Sequence, residues 1–339
     1  MSDSSIFVAS GSLNGLDPTV SKNNNPTYEI LNADGTPRRG STEWPLLVKA
    51  QPYYMYPFLH LLNDGTLFSF ASKSSEALDI ASGRSRKTFP DLPGTYRTYP
   101  NTGGSVLLPL SSANNWEPEI LICGGGAYQD INPPSDPSCG PSTTTLPPPN
   151  GKWTPCPKPA QTNGERWTTG AATDIPRLYH SVALLLLDGT VMLAGSNPNQ
   201  TPVIPPATDP QGFHTEFRVE IHTPRYLSRG QAARRPKDVH LSTLSLETVS
   251  TEGFNLTFAC LSDAQNVAIA LYHGGFVTHA LHMGQRMLFL DVRGFRPGST
   301  KQDVTVRGPP SKNVAPPGPY VVYVVVDGVP SVGQVVMVG

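Results

Sequence analysis

The chain has 339 residues with a formal net charge of −1, and 15% of its residues are charged. A net charge this close to zero excludes an electrostatic basis for binding nucleic acid or an anionic membrane surface. The length predicts two domains. The 36 prolines and 31 glycines favour short strands over long helices. No apolar run reaches the roughly 18 residues of a transmembrane helix.

The first part of the chain repeats one hairpin pattern. An apolar strand over 5–12 is followed by hairpins over 59–72, 105–127 and 180–196, whose second strands end in small residues. Two of the hairpins turn on Asp-Gly-Thr, which suits a two-residue loop because Gly tolerates positive φ. These units predict an all-β fold with an incomplete kelch-type β-propeller over 1–232; a β-sandwich made of several hairpins is the alternative.

A Pro-rich segment over 131–166 interrupts the pattern, and we interpret it as a long loop because it has few apolar residues to bury. Cys139 and Cys156 lie within this segment, on either side of its Thr- and Pro-rich stretch, and form either a disulfide bridge or two ordinary thiols. Cys123 and Cys260 are expected to be small buried residues. Since no CxxC pair is present, a structural zinc site is not expected.

From residue 233 the pattern changes to short strands of alternating apolar and polar residues separated by Gly and Pro turns. This spacing predicts an immunoglobulin-like β-sandwich over 233–339. The junction falls at Arg234-Arg235-Pro236.

The segment IPRLYHSVALLLLDGT places Tyr179 and His180 directly before an apolar strand. On a regular strand adjacent side chains point to opposite faces, so the pair can share a ligand only where the backbone is irregular. Taken alone, the pair is better explained as the polar start of a strand. His273, His279 and His282 follow in one glycine-containing hairpin, and two imidazoles with a phenolate would suit copper.

Several segments carry a resemblance in the same order along the chain. They include IPRLYHSVALLLLDG, YHGGFVTHALHMGQRMLFL, PPGPYVVYVVVDGVPSVGQVVMV, YPFLHLLNDGTLF and RTYPNTGGSVLLPL. With these motifs the chain resembles the glyoxal oxidase and galactose oxidase family of copper radical oxidases, in its glyoxal oxidase branch. The resemblance covers most of the chain except 131–166. It implies a propeller followed by an early-set, immunoglobulin-like sandwich.

The resemblance implies one copper ion held by Tyr179, His180 and His279. Tyr179 would be the axial phenolate that accepts a proton from substrate, and the two histidines would be equatorial ligands. His273 and His282 do not fall on ligand positions. The implied reaction oxidises a small aldehyde or primary alcohol and reduces O2 to H2O2. By the same resemblance we expect an extracellular monomer, although the start of the chain shows no signal peptide.

The chain departs from the family in two ways. The family's radical cofactor, a tyrosine linked to a cysteine, precedes the segment that resembles 5–12, and none of the four cysteines lies in a matching context. The segment 131–166 is also too short for a loop plus another blade. We therefore expect a chain that has lost the radical tyrosine and is inactive as an oxidase. Three interpretations of this chain are open: a truncated oxidase, a non-catalytic carbohydrate-binding protein, or an unstable gene product.

Overall fold

The computed structural model describes residues 1–15, 17–92, 96–99, 103–125, 144–145, 154–155, 170–177, 179–197, 199, 201–204, 214–248, 253–279 and 281–339. These residues form an all-β structure, as the sequence predicts. Its one α-helix within the described ranges is α1 (Pro45–Ala50). Short 3-10 turns add Ser21–Asn23, Ser112–Asn114 and Gln231–Arg234. Within the described part, no helix is long and apolar enough to cross a membrane.

Four antiparallel sheets occupy the first part of the chain, and their strands follow one another in space in chain order, except that one short strand leaves the third sheet. This is the order of a propeller blade. The first sheet holds β1 (Ile6–Ala9), β2 (Thr27–Leu31) and β3 (Pro37–Glu43), and the second holds β4 (Phe58–Leu61), β5 (Leu67–Ala71), β6 (Ser74–Asp79) and β7 (Arg84–Phe89). The third holds β8 (Gly104–Leu107), β10 (Ile120–Cys123), β11 (Thr144–Thr145) and β12 (Thr154–Pro155), and the fourth holds β13 (Val182–Leu185), β14 (Val191–Ala194) and β15 (Val219–His222).

Two further sheets face each other as a sandwich after residue 236. One holds β16 (Lys237–Leu241), β18 (Phe254–Ala259), β24 (Lys301–Val306) and β23 (Val292–Arg293). The other holds β17 (Ser245–Leu246), β27 (Gln334–Val338), β25 (Gly318–Val326), β19 (Val267–His273) and β22 (Arg286–Leu290), with β26 (Val329–Pro330) paired to β25. A separate two-stranded ribbon, β20 (Phe276–Thr278) with β21 (Leu281–Met283), leaves the second sheet between β19 and β22. The first five residues of β18 alternate between buried and exposed, as the sequence pattern predicts.

The two parts of the chain share a sheet and a core. A short strand of the third hairpin, β9 (Leu110–Ser111), pairs in parallel with β22 of the sandwich. One cluster of buried side chains contains Phe68 and Ile122 of the blades together with Leu288 and Val324 of the sandwich. Buried Arg286 crosses the same boundary, because it donates to the carbonyls of Leu61, Asn313 and Val314. The division of the chain into two domains at 232/233 stays a prediction. The packing described above is continuous across this position.

The Asp-Gly-Thr turns differ from the predicted two-residue loops. The Leu62 N–H bonds the Thr66 carbonyl and the Gly65 N–H bonds the Leu62 carbonyl, so three residues lie in the loop. Gly65 has a φ of 84°, and it occupies the left-handed position that follows a type I turn. The Asp64 carboxylate accepts from the backbone N–H and the hydroxyl of Thr66 at 2.9 and 2.7 Å. The Asp64-Gly65 pair therefore lies in a three-residue loop with a β-bulge, and the Asp64 side chain caps this turn.

The segment 131–166 is described only at Thr144–Thr145 and Thr154–Pro155, which extend the sheet of β10. The interpretation of this segment as a plain loop is wrong at these four residues. Cys139 and Cys156 lie outside the described residues, so their pairing stays a prediction. Cys123 and Cys260 have intermediate exposure and are more accessible than the sequence suggested.

Candidate metal site

Two distant segments bring the three predicted ligands together. Tyr179 and His180 lie just before β13, and His279 lies in the turn between β20 and β21. The ring centroids of Tyr179 and His180 are 4.0 Å apart, those of His180 and His279 are 5.0 Å apart, and those of Tyr179 and His279 are 5.8 Å apart. Side chains from a blade entrance and from the sandwich ribbon therefore meet in one cluster.

The backbone at this cluster departs from the strand geometry that would separate Tyr179 from His180. His180 has a φ of 58° and His279 has a φ of 53°. This left-handed conformation costs a non-glycine residue roughly 1–2 kcal/mol. Such strain persists where the surroundings impose it, and it concentrates at functional sites. Here it turns two adjacent side chains toward the same side of the chain.

The loop after β14 holds this segment in place. The Tyr179 carbonyl accepts from the Asn197 N–H at 2.9 Å and from the Ser196 hydroxyl at 2.7 Å. His180 Nδ1 lies 2.9 Å from the Asn197 carbonyl oxygen. Because a carbonyl only accepts, Nδ1 carries a proton, and Nε2 is the ring nitrogen left to face a metal. Such a fixed tautomer is typical of a metal-ligating histidine.

Gly195 makes the close approach of these two strands possible. A Cβ at this position would lie 2.4 Å from the His180 carbonyl oxygen, and Gly195 has a φ of 76°. Both facts require glycine at the end of β14. The small residues that end the inner strands thus make room for the site.

His279 is held at both ring nitrogens. Its Nδ1 lies 2.6 Å from the Thr278 hydroxyl, and its Nε2 lies 2.8 Å from the Tyr56 hydroxyl. Burial, and then the proximity of His180, lower the pKa of His279 below its usual value. The imidazole is therefore neutral near pH 7, as metal ligation requires.

Two tyrosines that the sequence analysis did not select complete the cluster. The Tyr56 ring packs on His279 with centroids 4.0 Å apart, and Tyr99 lies 5.9 Å from Tyr179 and 6.0 Å from His279 by ring centroids. Burial raises the pKa of Tyr179 well above its usual value, and Tyr99, through its charge and a hydrogen bond, and then Tyr56 raise it further. The environment therefore keeps an unligated Tyr179 protonated.

The signal for these tyrosines was present in the repeats. The segments YMYP, RTYP and RLYH precede the three hairpins and place Tyr56, Tyr99 and Tyr179 at corresponding positions. In two of them an arginine precedes the tyrosine by two residues. Arg97 donates to the Gly124 carbonyl, and Arg177 donates to the Gly195 carbonyl. Comparison of the blade entrances, in addition to the hairpins, would have found the cluster.

The remaining histidines of this hairpin bind backbone carbonyls. His273 Nδ1 lies 2.7 Å from the Pro319 oxygen, and His282 Nε2 contacts the Gly274 oxygen. These partners are compatible with the expectation that neither is a ligand. Across the described ranges no group of three His, Cys, Asp or Glu side chains could hold a metal.

The donor set of the cluster consists of two imidazoles and tyrosine phenols. Nitrogen and oxygen ligands of this kind suit Cu(II), which favours a tetragonal arrangement. They suit Ca²⁺ and Mg²⁺ poorly, because these ions prefer carboxylates and carbonyls. The residues present therefore fit a copper ion.

Two family models match the chain. The model described as Glyoxal oxidase N-terminus matches residues 19–145 and 150–226, and the model described as Galactose oxidase-like, Early set domain matches residues 235–338.

Two curated proteins of similar sequence are named as aldehyde oxidases. Aldehyde oxidase GLOX of Vitis pseudoreticulata is 31% identical over 88% of this chain and 65% of its own length. Aldehyde oxidase GLOX1 of Arabidopsis thaliana is 29% identical over 83% of this chain and 54% of its own length. The chain therefore spans about half to two thirds of the length of these relatives.

A solved structure shares the fold. It is a fungal alcohol oxidase in complex with copper, with a TM-score of 0.52 and 20% sequence identity. The match covers 93% of this chain and 60% of that chain.

Proposed function

Because the chain belongs to the glyoxal oxidase family of copper radical oxidases, we propose that it binds one copper ion through Tyr179, His180 and His279. The observation that carries the proposal is the meeting of these three side chains from two distant segments, with ring centroids 4.0 to 5.8 Å apart. The proposed substrates are a small aldehyde or primary alcohol and O2, of which the latter would become H2O2.

Each side chain has a distinct part in this proposal. His180, whose Nδ1 proton is held by the Asn197 carbonyl, would offer Nε2 to the metal. His279 would offer the nitrogen that now faces Tyr56, while Thr278 orients the ring. When bound, copper would supply a one-electron acceptor next to the substrate.

Tyr179 would act as the base. Its surroundings raise the pKa of the phenol, so its oxygen has a high affinity for a proton once it is ionised. A proton from the hydroxyl of the alcohol, or of the hydrated aldehyde, would move to Tyr179 Oη, and Tyr99 would hold that oxygen by the hydrogen bond between the two phenols.

We further propose that these 339 residues, tested alone, bind copper without oxidase turnover. In the family a cysteine-linked tyrosine accepts the second electron. Cys260 Sγ lies 3.6 Å from the Ser299 carbonyl oxygen in the sandwich. Since the chain covers only part of its relatives, the activity of the whole protein is itself a proposal. We also propose an extracellular monomer that binds no nucleic acid, in keeping with the net charge of −1.

A copper titration followed by electron paramagnetic resonance tests the site. We expect one tetragonal Cu(II) signal per chain that His279→Ala and His180→Ala abolish or change in its hyperfine pattern. His240→Ala is the matched control, because His240 is an exposed residue of β16. The absence of a Cu(II) signal, or a signal that is the same in all three variants, would overturn the proposal.

A further inference from the structure

A cavity of about 310 Å³ lies between the first two sheets of the blades and the sandwich. Its wall includes Ile6 of β1 and Leu59 of β4, and on the sandwich side Arg286 and Tyr320. None of the residues assigned to the copper site lines it. We propose that this cavity is a second site, separate from the metal cluster, which binds a small carboxylate with an apolar body through Arg286 and Gln285.

Arg286 places a buried positive charge at the wall of this cavity. The residue is only 5% exposed. Its Nη1 donates to the carbonyls of Asn313 and Val314 at 3.0 and 2.9 Å, and its Nη2 donates to the Leu61 carbonyl at 2.5 Å. These partners are neutral, and no carboxylate among the described residues pairs with the guanidinium. Because a charge taken out of water is costly unless an opposite charge accompanies it, an anion in the cavity would be stabilised by Arg286.

Two hydrogen-bond donors of the wall have no partner in the described part of the chain. Arg286 Nε makes no hydrogen bond there and is not sealed inside the packing. Gln285, which directly precedes it, is half-buried, and its side-chain amide bonds no described residue. A carboxylate has two acceptor oxygens and forms strong hydrogen bonds with a guanidinium. Arg286 and Gln285 therefore offer one donor to each oxygen of a carboxylate.

The other titratable side chains of the wall do not oppose a negative ligand. Burial and then Arg286 lower the pKa of His60 to about 3, so His60 is neutral near pH 7. Burial raises the pKa of Tyr320 to about 12, so its phenol keeps its proton. His273 Nδ1 lies 2.7 Å from the Pro319 carbonyl oxygen and donates to it. Since no Asp or Glu is among the described residues of the wall, a carboxylate there meets no like charge.

The remaining wall is apolar and restricts the body of the ligand. It includes Phe7 and Leu67 of the blades, Phe276 and Met283 of the ribbon, and Pro317. The volume of about 310 Å³ lies at the lower end of the range for small-molecule sites. The cavity therefore suits a monocarboxylate with one aromatic ring or a short branched chain. Inorganic phosphate, which has no apolar surface to bury, should bind more weakly.

The test is isothermal titration calorimetry of the full chain with benzoate, without added copper. Benzamide is the matched neutral probe, because it has the same ring and a similar shape but no charge. The variants are Arg286→Gln, Gln285→Met and Phe276→Ala. Phe217→Ala serves as the matched control, because Phe276 is 63% exposed and Phe217 is 61% exposed, but only Phe276 lines the cavity.

We expect one benzoate per chain, with benzamide bound at least about tenfold more weakly, because it carries no charge for Arg286. Gln285→Met should weaken benzoate binding about tenfold, and Phe276→Ala roughly fivefold, whereas Phe217→Ala should leave it unchanged. Arg286→Gln should abolish binding. If Arg286→Gln does not fold, because the three carbonyl contacts are lost, the benzamide comparison and Gln285→Met decide.

Three results would overturn the inference. The first is equal affinity for benzoate and benzamide or no binding of either, in which case Arg286 only links the sandwich to the blades. The second is tighter binding of inorganic phosphate than of benzoate, which would contradict the role of the apolar wall. The third is loss of benzoate binding in His180→Ala, which would place the carboxylate at the metal cluster. Because the titration contains no copper, a failure of the copper proposal leaves this test intact.

Discussion

Replacing Arg177 should loosen the loop that carries the site. Its side chain is only 8% exposed and lies two residues before Tyr179. Its Nε lies 2.9 Å from Glu220 Oε2, its Nη2 lies 3.0 Å from the Arg218 carbonyl oxygen, and its Nη1 bonds the Gly195 carbonyl. Arg177→Met keeps the apolar length and removes all of these donors.

The expected loss of folding free energy comes mainly from the hydrogen bond between Arg177 and the Gly195 carbonyl. The Gly195 carbonyl is part-buried, and a hydrogen bond from a charged donor to such a group contributes about 1.5–3 kcal/mol. The carbonyl of Arg218 can turn to water, and the carboxylate of Glu220 is solvated, so we assign neither of them a share. Arg177→Met should therefore lower the free energy of unfolding by about 2 kcal/mol.

Urea unfolding measures this change, and copper affinity reports its effect on the site. Arg293→Met is the matched control, since Arg293 is exposed on β23 and should change stability by less than about 0.5 kcal/mol. Arg177→Met should also weaken copper binding, because the same loop positions Tyr179 and His180. Equal stability of Arg177→Met and Arg293→Met, with unchanged copper affinity, would refute the reasoning.

Three further results are expected. Burial and then Arg286 lower the pKa of His60 to about 3. Since an unfolded histidine takes up its proton near pH 6.5, the protein loses stability as the pH falls from about 6.5 toward about 3. Urea unfolding should show that the stability of His60→Gln depends less on pH over this range than that of the unsubstituted chain, and equal pH dependence would contradict this. Gly195→Ala should unfold at lower urea than Gly35→Ala, because both have positive φ but only the first places a Cβ against a carbonyl; equal midpoints would refute the steric argument. The chain has two N-glycosylation sequons, Asn199-Gln-Thr and Asn255-Leu-Thr. On secretion, Asn255→Gln should abolish a glycan shift that Asn199→Gln leaves in place, because Asn255 is exposed and Asn199 Nδ2 is buried; the reverse pattern would contradict this.

Local patterns predicted the architecture well because its elements are local. The hairpins at 59–72 and 180–196 and the alternating strand at Phe254–Ala259 follow from side-chain period and turn residues alone. The loop type of the Asp-Gly turns was wrong, because a left-handed glycine serves both a two-residue turn and a bulged three-residue turn.

The site was less accessible to prediction because it is non-local. Tyr179 and His180 appeared as the polar start of a strand, and only a family resemblance connected them with His279. Tyr56 has no periodic signal that points to a partner 223 residues away. The left-handed backbone at the site also runs against local preference, so sequence rules fail where the fold imposes strain.

The pairing of β9 with β22 fixes the position of the sandwich relative to the blades. Leu110 lies opposite Leu288, nine residues after His279, and one backbone ladder therefore sets how far the β20–β21 ribbon extends toward the blades. A slip that preserves the side-chain faces would move β22 by two residues, about 6.6 Å. That shift exceeds the 5.0 Å between the rings of His180 and His279. If the sandwich were produced alone, the edge of β22 would also be exposed. Exposed strand edges have unpaired backbone groups that promote aggregation. Correct docking of the two parts is thus required before the rings of His180 and His279 can meet.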